Sequence, residues 1–415
     1  MMLTKHKLGD LLEVTRGASL SGEYFATQGD YMRLTCGNFD YQSNCFKSNT
    51  SKDNLYYTGN FNQEYLMEKD DIITPLTEQA VGLLGSTAWV PEGGKYIQSQ
   101  DVAKITPNER LLDKKFCYYL ISSKVVKQQL SAAAQQTKIR HTSPDKIKDC
   151  TVWIPSLEEQ TKIGQFLYDI DSKIALNRQI NDNLEAMARQ LYDYWFVQFD
   201  FPDENGKPYK SSGRKMVWNK EIKRAIPFGW EISPLSELLE VNDARRIPLS
   251  NKQRAERQGF YPYYGATGIM DYVDNFLFDE DLLLLAEDGS TSDGNGHPIV
   301  QYIWGKNWVN NHAHILKPKS VGQLYYYYFV LKQIPVALIE TGSIQRKISQ
   351  QNLLSYKVAV PSENLIQAYS NVANVLQEQR KKNSDEIVSL TKQRDELLPL
   401  LMNGQVTVNY HLSDD

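Results

Sequence analysis

The 415-residue chain reads as an α+β protein: two similar α/β domains separated by two long helices that form an antiparallel coiled coil, with internal pseudo-twofold symmetry. Three observations predict this. The chain resembles itself at a shift of 206 positions. Each copy ends in a long polar stretch with apolar residues at heptad spacing. Ahead of each such stretch lie short strand-like runs bounded by Gly, Asn, Asp and Pro turns.

The shift brings Pro155-Ser156 onto Pro361-Ser362, Ile170 onto Leu376, Asn177 onto Asn383, Leu184 onto Leu390 and Leu191 onto Leu397. It also aligns Arg140 with Arg346 and Ile147 with Leu353. Earlier in each half the likeness loosens but keeps its order. KLGDLLEV (Lys7 to Val14) echoes PLSELLEV (Pro234 to Val241), EKDDIIT echoes DEDLLLL, and DKKFCYYLISS echoes VGQLYYYYFVLK. A period near 200 residues is too long for a solenoid, so a whole domain and its tail are duplicated. The expected segments are a first domain over 1–154, a central helix over 155–200, a linker and second domain over 201–360, and a C-terminal helix with its tail over 361–415.

The domains are expected to be rich in loops. DDIITPL, KYIQSQDVAKI, DLLLLAEDG, PIVQYIWG and HAHILKP read as strands, and helices are expected near Asp113 to Leu130 and Leu324 to Glu340. NFDYQSNCFKSNTSKDNLYYTG has no counterpart in FYPYYGATGIMDYVDNFLF. A shared frame with unlike loops suits two readers of different targets.

In the first tail Ile163, Ile170, Asn177, Leu184 and Leu191 define one seam column, with Phe166, Ile180, Met187 and Tyr194 three residues on. The second has Tyr369, Leu376, Asn383, Leu390 and Leu397, then Val372, Gln379, Glu386, Gln393 and Leu400, with Ile387 beside the seam. Pro-Ser followed by acids suits a helix start, and Gly404 a stop. About 40 helical residues span roughly 60 Å. One Asn at mid-seam in each helix is a register device. Setting Asn177 against Asn383 in antiparallel sense puts Ile170 opposite Leu390 and Leu184 opposite Leu376.

Composition excludes several classes. The N-terminus MMLTKHKLGDLLEV lacks the apolar run of a signal peptide, and no apolar stretch of about 18 residues predicts a membrane span. Cys36, Cys45, Cys117 and Cys150 form no C-x-x-C pair, which points away from zinc sites and disulfide frameworks and toward a reducing cytoplasm. Net charge is −4, with a cation-rich stretch from Lys207 to Arg257. No [D/N/S]-P-P-[Y/F], G-x-x-x-x-G-K-[ST] or G-x-S-x-G motif occurs. PDENGK (Pro202 to Lys207) and EDGSTSDGNGH (Glu287 to His297) read as turns rather than a nuclease or metal site. In NNHAHIL, one satisfied and one surface histidine are expected at His312 and His314, not zinc ligands.

Together the order domain, helix, domain, helix, the segment IPSLEEQ with its heptads, and ARQLYDYWFVQFDFP (Ala188 to Pro202) resemble the specificity subunit of a type I restriction–modification enzyme. IPFGWEISPLSELLE and GSIQRKIS (Gly342 to Ser349) are similar to the start of that family's second domain and to the loop before a reader's last strand. QQTKIRHTS (Gln135 to Ser143) stands at the corresponding place in the first half. The VPSENLIQ helix lacks the family's acidic pair at its start. The resemblance implies a non-catalytic, prokaryotic, cytoplasmic subunit whose two target recognition domains each read half of an asymmetric bipartite site on double-stranded DNA. It implies that the helices set the gap and dock two modification subunits, with restriction subunits adding translocation and cleavage. S-adenosylmethionine, ATP and Mg would belong to those partners, with no cofactor, metal or catalytic residue in this chain. The alternatives are a helical scaffold for partner proteins without DNA reading, and a metal-dependent nuclease built on Asp288 or Asp293.

DNA reading needs cations for phosphates and forked or amide side chains for base edges. The candidates are Lys138, Arg140 and His141 in the first domain and Gln345, Arg346 and Lys347 in the second, at matching places in the repeat. A wider set is Arg16, Lys47, Lys52, Arg245, Arg246, Lys252, Arg254, Tyr263 and Tyr264.

Overall fold

The computed structural model describes residues 2–50, 53–78, 82–133, 140–342 and 346–408. They form two compact units, residues 1–176 with 386–415, and residues 177–385. Each unit therefore holds a domain and a portion of both long helices.

The same frame is built twice. In the first unit a four-stranded sheet runs Ala88–Trp89, Ile72–Pro75, Val102–Pro107, Leu12–Arg16 across its width. In the second it runs Val300–Ile303, Leu282–Ala286, Ala313–Pro318, Leu239–Val241. Ile72–Pro75 and Leu282–Ala286 are buried at every residue, which is why IITP and LLLLA are unbroken rather than alternating. An antiparallel pair closes each domain just before its long helix: Thr4–Lys7 with Thr151–Ile154, and Glu231–Pro234 with Lys357–Val360. A second four-stranded sheet occurs in each unit, but its strand order differs between them. The duplication thus preserves the frame and lets the outer sheet and loops diverge.

A helix covers each frame, Lys114–Ser122 in one unit and Leu324–Lys332 in the other, and both lie in the main apolar clusters. Asp113 caps the first by accepting from Phe116 N at 2.8 Å. This helix reaches the backbone of the long helix at Gly164, where an added Cβ would sit 2.6 Å from Phe116 N. The buried Gln160 of IPSLEEQ ties the same corner. Its Oε1 accepts from Asp113 N at 2.9 Å, and its Nε2 donates to Leu111 O at 3.2 Å and to Pro155 O at 3.0 Å.

The first long helix is Leu157–Tyr192, continued by a π-helical turn over Asp193–Val197, and the second is Glu363–Met402. Gly404, with φ +69°, ends the second. Within each unit the portions run antiparallel. In the first, Arg394 Nη1 donates to Asp171 Oδ1 at 2.8 Å, and Ile163 and Leu167 share a core with Leu401. In the second, Arg380 Nη2 donates to Glu185 Oε2 at 2.6 Å and Tyr369 Oη donates to Ala188 O at 3.1 Å.

The seam differs from its expected form in two ways. The heptad column through Ile163, Ile170 and Asn177 is buried, but its companion lies four residues on, at Leu167, Ile174 and Ala188. Met187, placed in the seam by a three-residue offset, is 53% exposed, and Val372 is 49% exposed. In the second helix the companions are Ala373, Arg380, Ile387, Arg394 and Leu401, of which Ala373, Arg394 and Leu401 are buried. Counting only apolar side chains missed a column that holds two arginines. The register is also shifted. Asn177 and Asn383 are both buried, but Asn383 Nδ2 donates to Asn181 Oδ1 at 3.0 Å, and Asn181 Nδ2 donates to Ser384 Oγ at 3.0 Å. Beside Ile170 and Leu184, Asp171 pairs with Arg394 and Glu185 with Arg380 across the seam.

Candidate nucleic-acid interface

The two loops expected to read DNA return to the same place in the frame. In the first unit Arg140–His141 pairs with Thr77–Glu78, just beyond the central strand. In the second, Lys347 bridges to Asp288 and Ile348 N donates to Glu287 O at 2.8 Å, again just beyond the central strand. A buried glutamate stands at both positions and faces a loop cation. Glu78 Oε2 lies 3.6 Å from Arg140 Nη1, and Glu287 Oε1 lies 2.9 Å from Lys347 Nζ. Neither glutamate was singled out from sequence, although each closely follows an apolar run, at the point where a sheet hands its chain to a loop.

The candidates divide by what they touch. Arg140 also donates to Ser131 Oγ at 3.0 Å, and the exposed His141 meets Thr77 Oγ1 through Nδ1 at 3.3 Å. Arg346 is exposed, with Glu340 Oε1 at 3.8 Å. Arg16 is exposed and donates from Nε to Gln100 O at 2.8 Å, and Lys47 is exposed. Lys252 is a surface cation whose side chain is 87% exposed. Arg245 lies 4.5 Å over the Phe278 ring and 2.9 Å from Glu280 Oε1. Lys52, Lys138 and Gln345 lie outside the described residues.

Three candidates are structural instead. Tyr263 is buried, and its hydroxyl accepts from Leu249 N at 2.9 Å. Arg254 donates to Asp271 Oδ2 at 3.0 Å, to Leu249 O at 2.8 Å and to Asn251 Oδ1 at 2.7 Å. Arg246 donates to Glu287 Oε2 and to Ala313 O, each at 2.7 Å. A cation tied by several bonds inside a domain cannot reach a phosphate without breaking those bonds, which sequence spacing does not reveal. Tyr264 is half-buried, and burial pushes its phenol up to about 12. Sequence also missed an exposed apolar ridge on the outer sheet, where Phe260 is 86% exposed and Met270 53%. In FYPYYGATGIM the sequence marked divergence and the candidates Tyr263 and Tyr264, but not Phe260 or Met270.

Behind the second loop lies a buried charge cluster. Asp243, Glu287 and His314 offer ligand-type atoms within 4.8 Å of one another. Arg246 Nη2 lies 3.3 Å from Asp243 Oδ2, and Arg246 and Lys347 both pair with Glu287. Burial opposes ionisation of Glu287, but these two cations outweigh it and hold its carboxyl below the usual range. With cations already on both carboxylates the cluster is an ion-pair network. His312 stands outside it, exposed, with Nδ1 2.6 Å from Asp288 Oδ1. EDGSTSDGNGH contains a turn in which Asp293 Oδ1 accepts from Asn295 N at 2.8 Å and from His297 N at 2.9 Å. In PDENGK, Asp203 Oδ1 accepts from Asn205 N at 2.8 Å and from Lys207 N at 2.9 Å. A cavity of about 440 Å³ in the first unit is lined by Tyr119, Lys127, Asp171 and Arg394 among others, and not by Arg16, Lys47, Arg140 or His141.

This twice-built frame has counterparts among known proteins. Residues 3–186 and 227–368 match the profile of the family described as "Type I restriction modification DNA specificity domain". The chain belongs to this family. Its role is that of a DNA specificity subunit, not a catalytic one. The specificity chain is 23% identical over 331 residues to the type I restriction enzyme MjaIX specificity subunit of Methanocaldococcus jannaschii, covering 75% of this chain and 73% of that one. It is 21% identical over 383 residues to the type I restriction enzyme HindI specificity subunit of Haemophilus influenzae, covering 75% and 81%. The crystal structure of the S subunit from the type I restriction–modification system of M. genitalium superposes with a TM-score of 0.57 at 18% identity, over 99% of this chain and 97% of that one. That likeness shows the shared fold of the specificity chain. Among the described residues no helix is long and apolar enough to cross a membrane.

Proposed function

We propose that each domain of this specificity chain reads one half of a bipartite double-stranded DNA site. The observation that carries this reading is the matched placement of the Arg140–His141 loop and the Arg346–Lys347 loop at one edge of a repeated frame, each backed by a buried glutamate. Arg140, His141, Arg346 and Lys347 are the proposed base and phosphate contacts, with Arg16, Lys47, Lys252 and Arg245 as flanking phosphate contacts. Each domain's unlike loops supply its own half-site.

The long helices are the proposed spacer. The 36-residue first helix corresponds to about 54 Å of axial rise, so inserting one turn moves residues beyond it by about 5 Å and rotates them little. Two modification subunits are proposed to dock on the helices and to bring S-adenosylmethionine, with restriction subunits contributing ATP- and Mg-dependent steps. The test is methylation sequencing of DNA from cells that hold this chain with a modification subunit of its system. The expected result is adenine methylation at one two-part site, none with either protein alone, and an altered gap with unchanged half-sites after a one-turn insertion in either long helix. Methylation by this chain alone, or altered half-sites with an unchanged gap, refutes the reading.

A further inference from the structure

His314 sits fully inside the second domain, on the strand Ala313–Pro318, with both ring nitrogens engaged. Nδ1 lies 2.6 Å from Asp243 Oδ2, and Nε2 lies 2.8 Å from the carbonyl oxygen of Ile348. A carbonyl only accepts. Asp243 also acts as an acceptor, because Oδ1 takes Ile315 N at 2.8 Å and Oδ2 takes Gln350 Nε2 at 2.6 Å. Both imidazole nitrogens must then carry hydrogen, which only the imidazolium does. We infer that protonated His314 is a latch that positions the Arg346–Lys347 loop, and that its deprotonation releases the Ile348 carbonyl and slackens that loop alone. The inference rests on the proposed DNA-reading role of that loop.

The charges around the ring agree. Glu287 Oε2 lies 3.7 Å from Nδ1, Arg246 pairs with Asp243 and Glu287, and Lys347 pairs with Glu287 near Asp288. Burial works against the imidazolium, but the bonds to Asp243 and Ile348 and the charges of Asp243 and Glu287 outweigh it and raise its pKa above the ordinary histidine value. A raised folded pKa means that the stabilisation is complete below the unfolded value of about 6.5 and is lost as pH rises through the folded one. On deprotonation the remaining hydrogen stays on Nδ1, where the bond is charge-assisted, so the Ile348 carbonyl loses its donor. Among the described residues of the first domain no histidine takes the corresponding place. The strand registers place Ala103, opposite Thr74, where His314 stands opposite Leu285. That domain is an internal control.

The test is hydrogen–deuterium exchange of the full chain from pH 6.5 to 9.5, corrected for the intrinsic rate, together with binding of its complex to a duplex bearing the site found by methylation sequencing. Exchange over 346–353 should rise about tenfold across one alkaline transition, with no transition over 140–148. His314→Gln should be fast at every pH. Should that variant fail to fold, Asp243→Asn, which removes the charge and keeps one of the two acceptor oxygens, must move the transition to lower pH. Affinity should fall about tenfold over the same transition, the scale of one good base contact. An unmoved transition in Asp243→Asn, or a wild-type profile in His314→Gln, overturns the latch. A loosened loop with unchanged affinity overturns its positioning role. No selective binding at any pH overturns the specificity reading itself, whereas selective binding with flat exchange overturns only the latch.

Discussion

Replacing Arg394 by Met should destabilise the first unit by about 2–4 kcal/mol, and adding Asp171→Asn should restore most of that loss. Arg394 is buried in the helix seam and donates to Asp171 Oδ1 at 2.8 Å, to Asp395 Oδ1 at 2.8 Å through Nη2, and to Ser43 O at 3.3 Å. Burial opposes the charge, but Asp171 and Asp395 outweigh it and raise the guanidinium pKa. Methionine fills much of the same space, so a cavity adds little. The main loss is the uncompensated Asp171 carboxylate, which keeps the Tyr119 hydroxyl at 2.7 Å but no longer faces a cation. That side chain is 27% exposed, which brings the cost below the 3–5 kcal/mol of a fully buried orphan. Asp171→Asn removes the orphaned charge and leaves an amide oxygen for Tyr119. The assay is a double-mutant cycle by urea unfolding, with exchange over 157–176 and 386–402 assigning the change to this unit. Loss under 0.5 kcal/mol in Arg394→Met, or additive single effects with no coupling above about 1 kcal/mol, refutes the reasoning.

Gly164→Leu should be among the most damaging single changes in the first long helix, because its side chain must displace backbone at Phe116. Soluble yield and a melting temperature near wild type would contradict this. Glu185 is held below the usual carboxyl range because Arg380, Lys332 and Tyr328 outweigh its burial. Its contribution is therefore complete above about pH 4.5 and lost as pH falls through the folded pKa, so thermal melts between pH 3 and 6 should be flatter in Glu185→Gln than in wild type. Arg140→Ala and Arg346→Ala should each weaken binding by about 1–3 kcal/mol and relax selectivity in different half-sites, scored by methylation of half-site libraries. Lys252→Ala should weaken all sequences alike and lower the salt dependence of binding by about one unit, read from affinities at several salt concentrations.

The frame was legible because its signals are local. LLLLA and HAHILKP became buried strands, and the heptad column through Ile163, Ile170 and Asn177 became the seam. The companion column was misread because Asn181, Arg380 and Arg394 occupy it, and their pairing depends on partners far away in sequence. Three of the DNA-reading candidates are tied inside the second domain for the same reason. Arg246 and Arg254 stand in a cation-rich stretch that reads as surface, and Tyr263 follows it, yet their partners Glu287, Asp271 and Leu249 draw them inward. Net charge in a window counts cations but cannot tell which of them are neutralised by acids from another strand.

Those buried ions bear on a problem that duplication creates. Two copies of one helix can pair with their own kind as readily as with each other unless something distinguishes them. Apolar layers do not, since leucine and isoleucine pack against either copy. The ionic layers do. Asp171 and Glu185 are both on the first long helix, and their partners Arg394 and Arg380 are both on the second. A second copy of the Glu363–Met402 helix in place of the first would bring two more seam arginines and neither carboxylate. Arg394 would then keep only Asp395 on its own helix, and the half-buried Arg380 would lose Glu185, so both seam arginines would be under-compensated. The ion pairs therefore contribute less to net stability than to the choice of partner. Two duplicated helices are in this way made chemically unlike at the layers where likeness would be ambiguous.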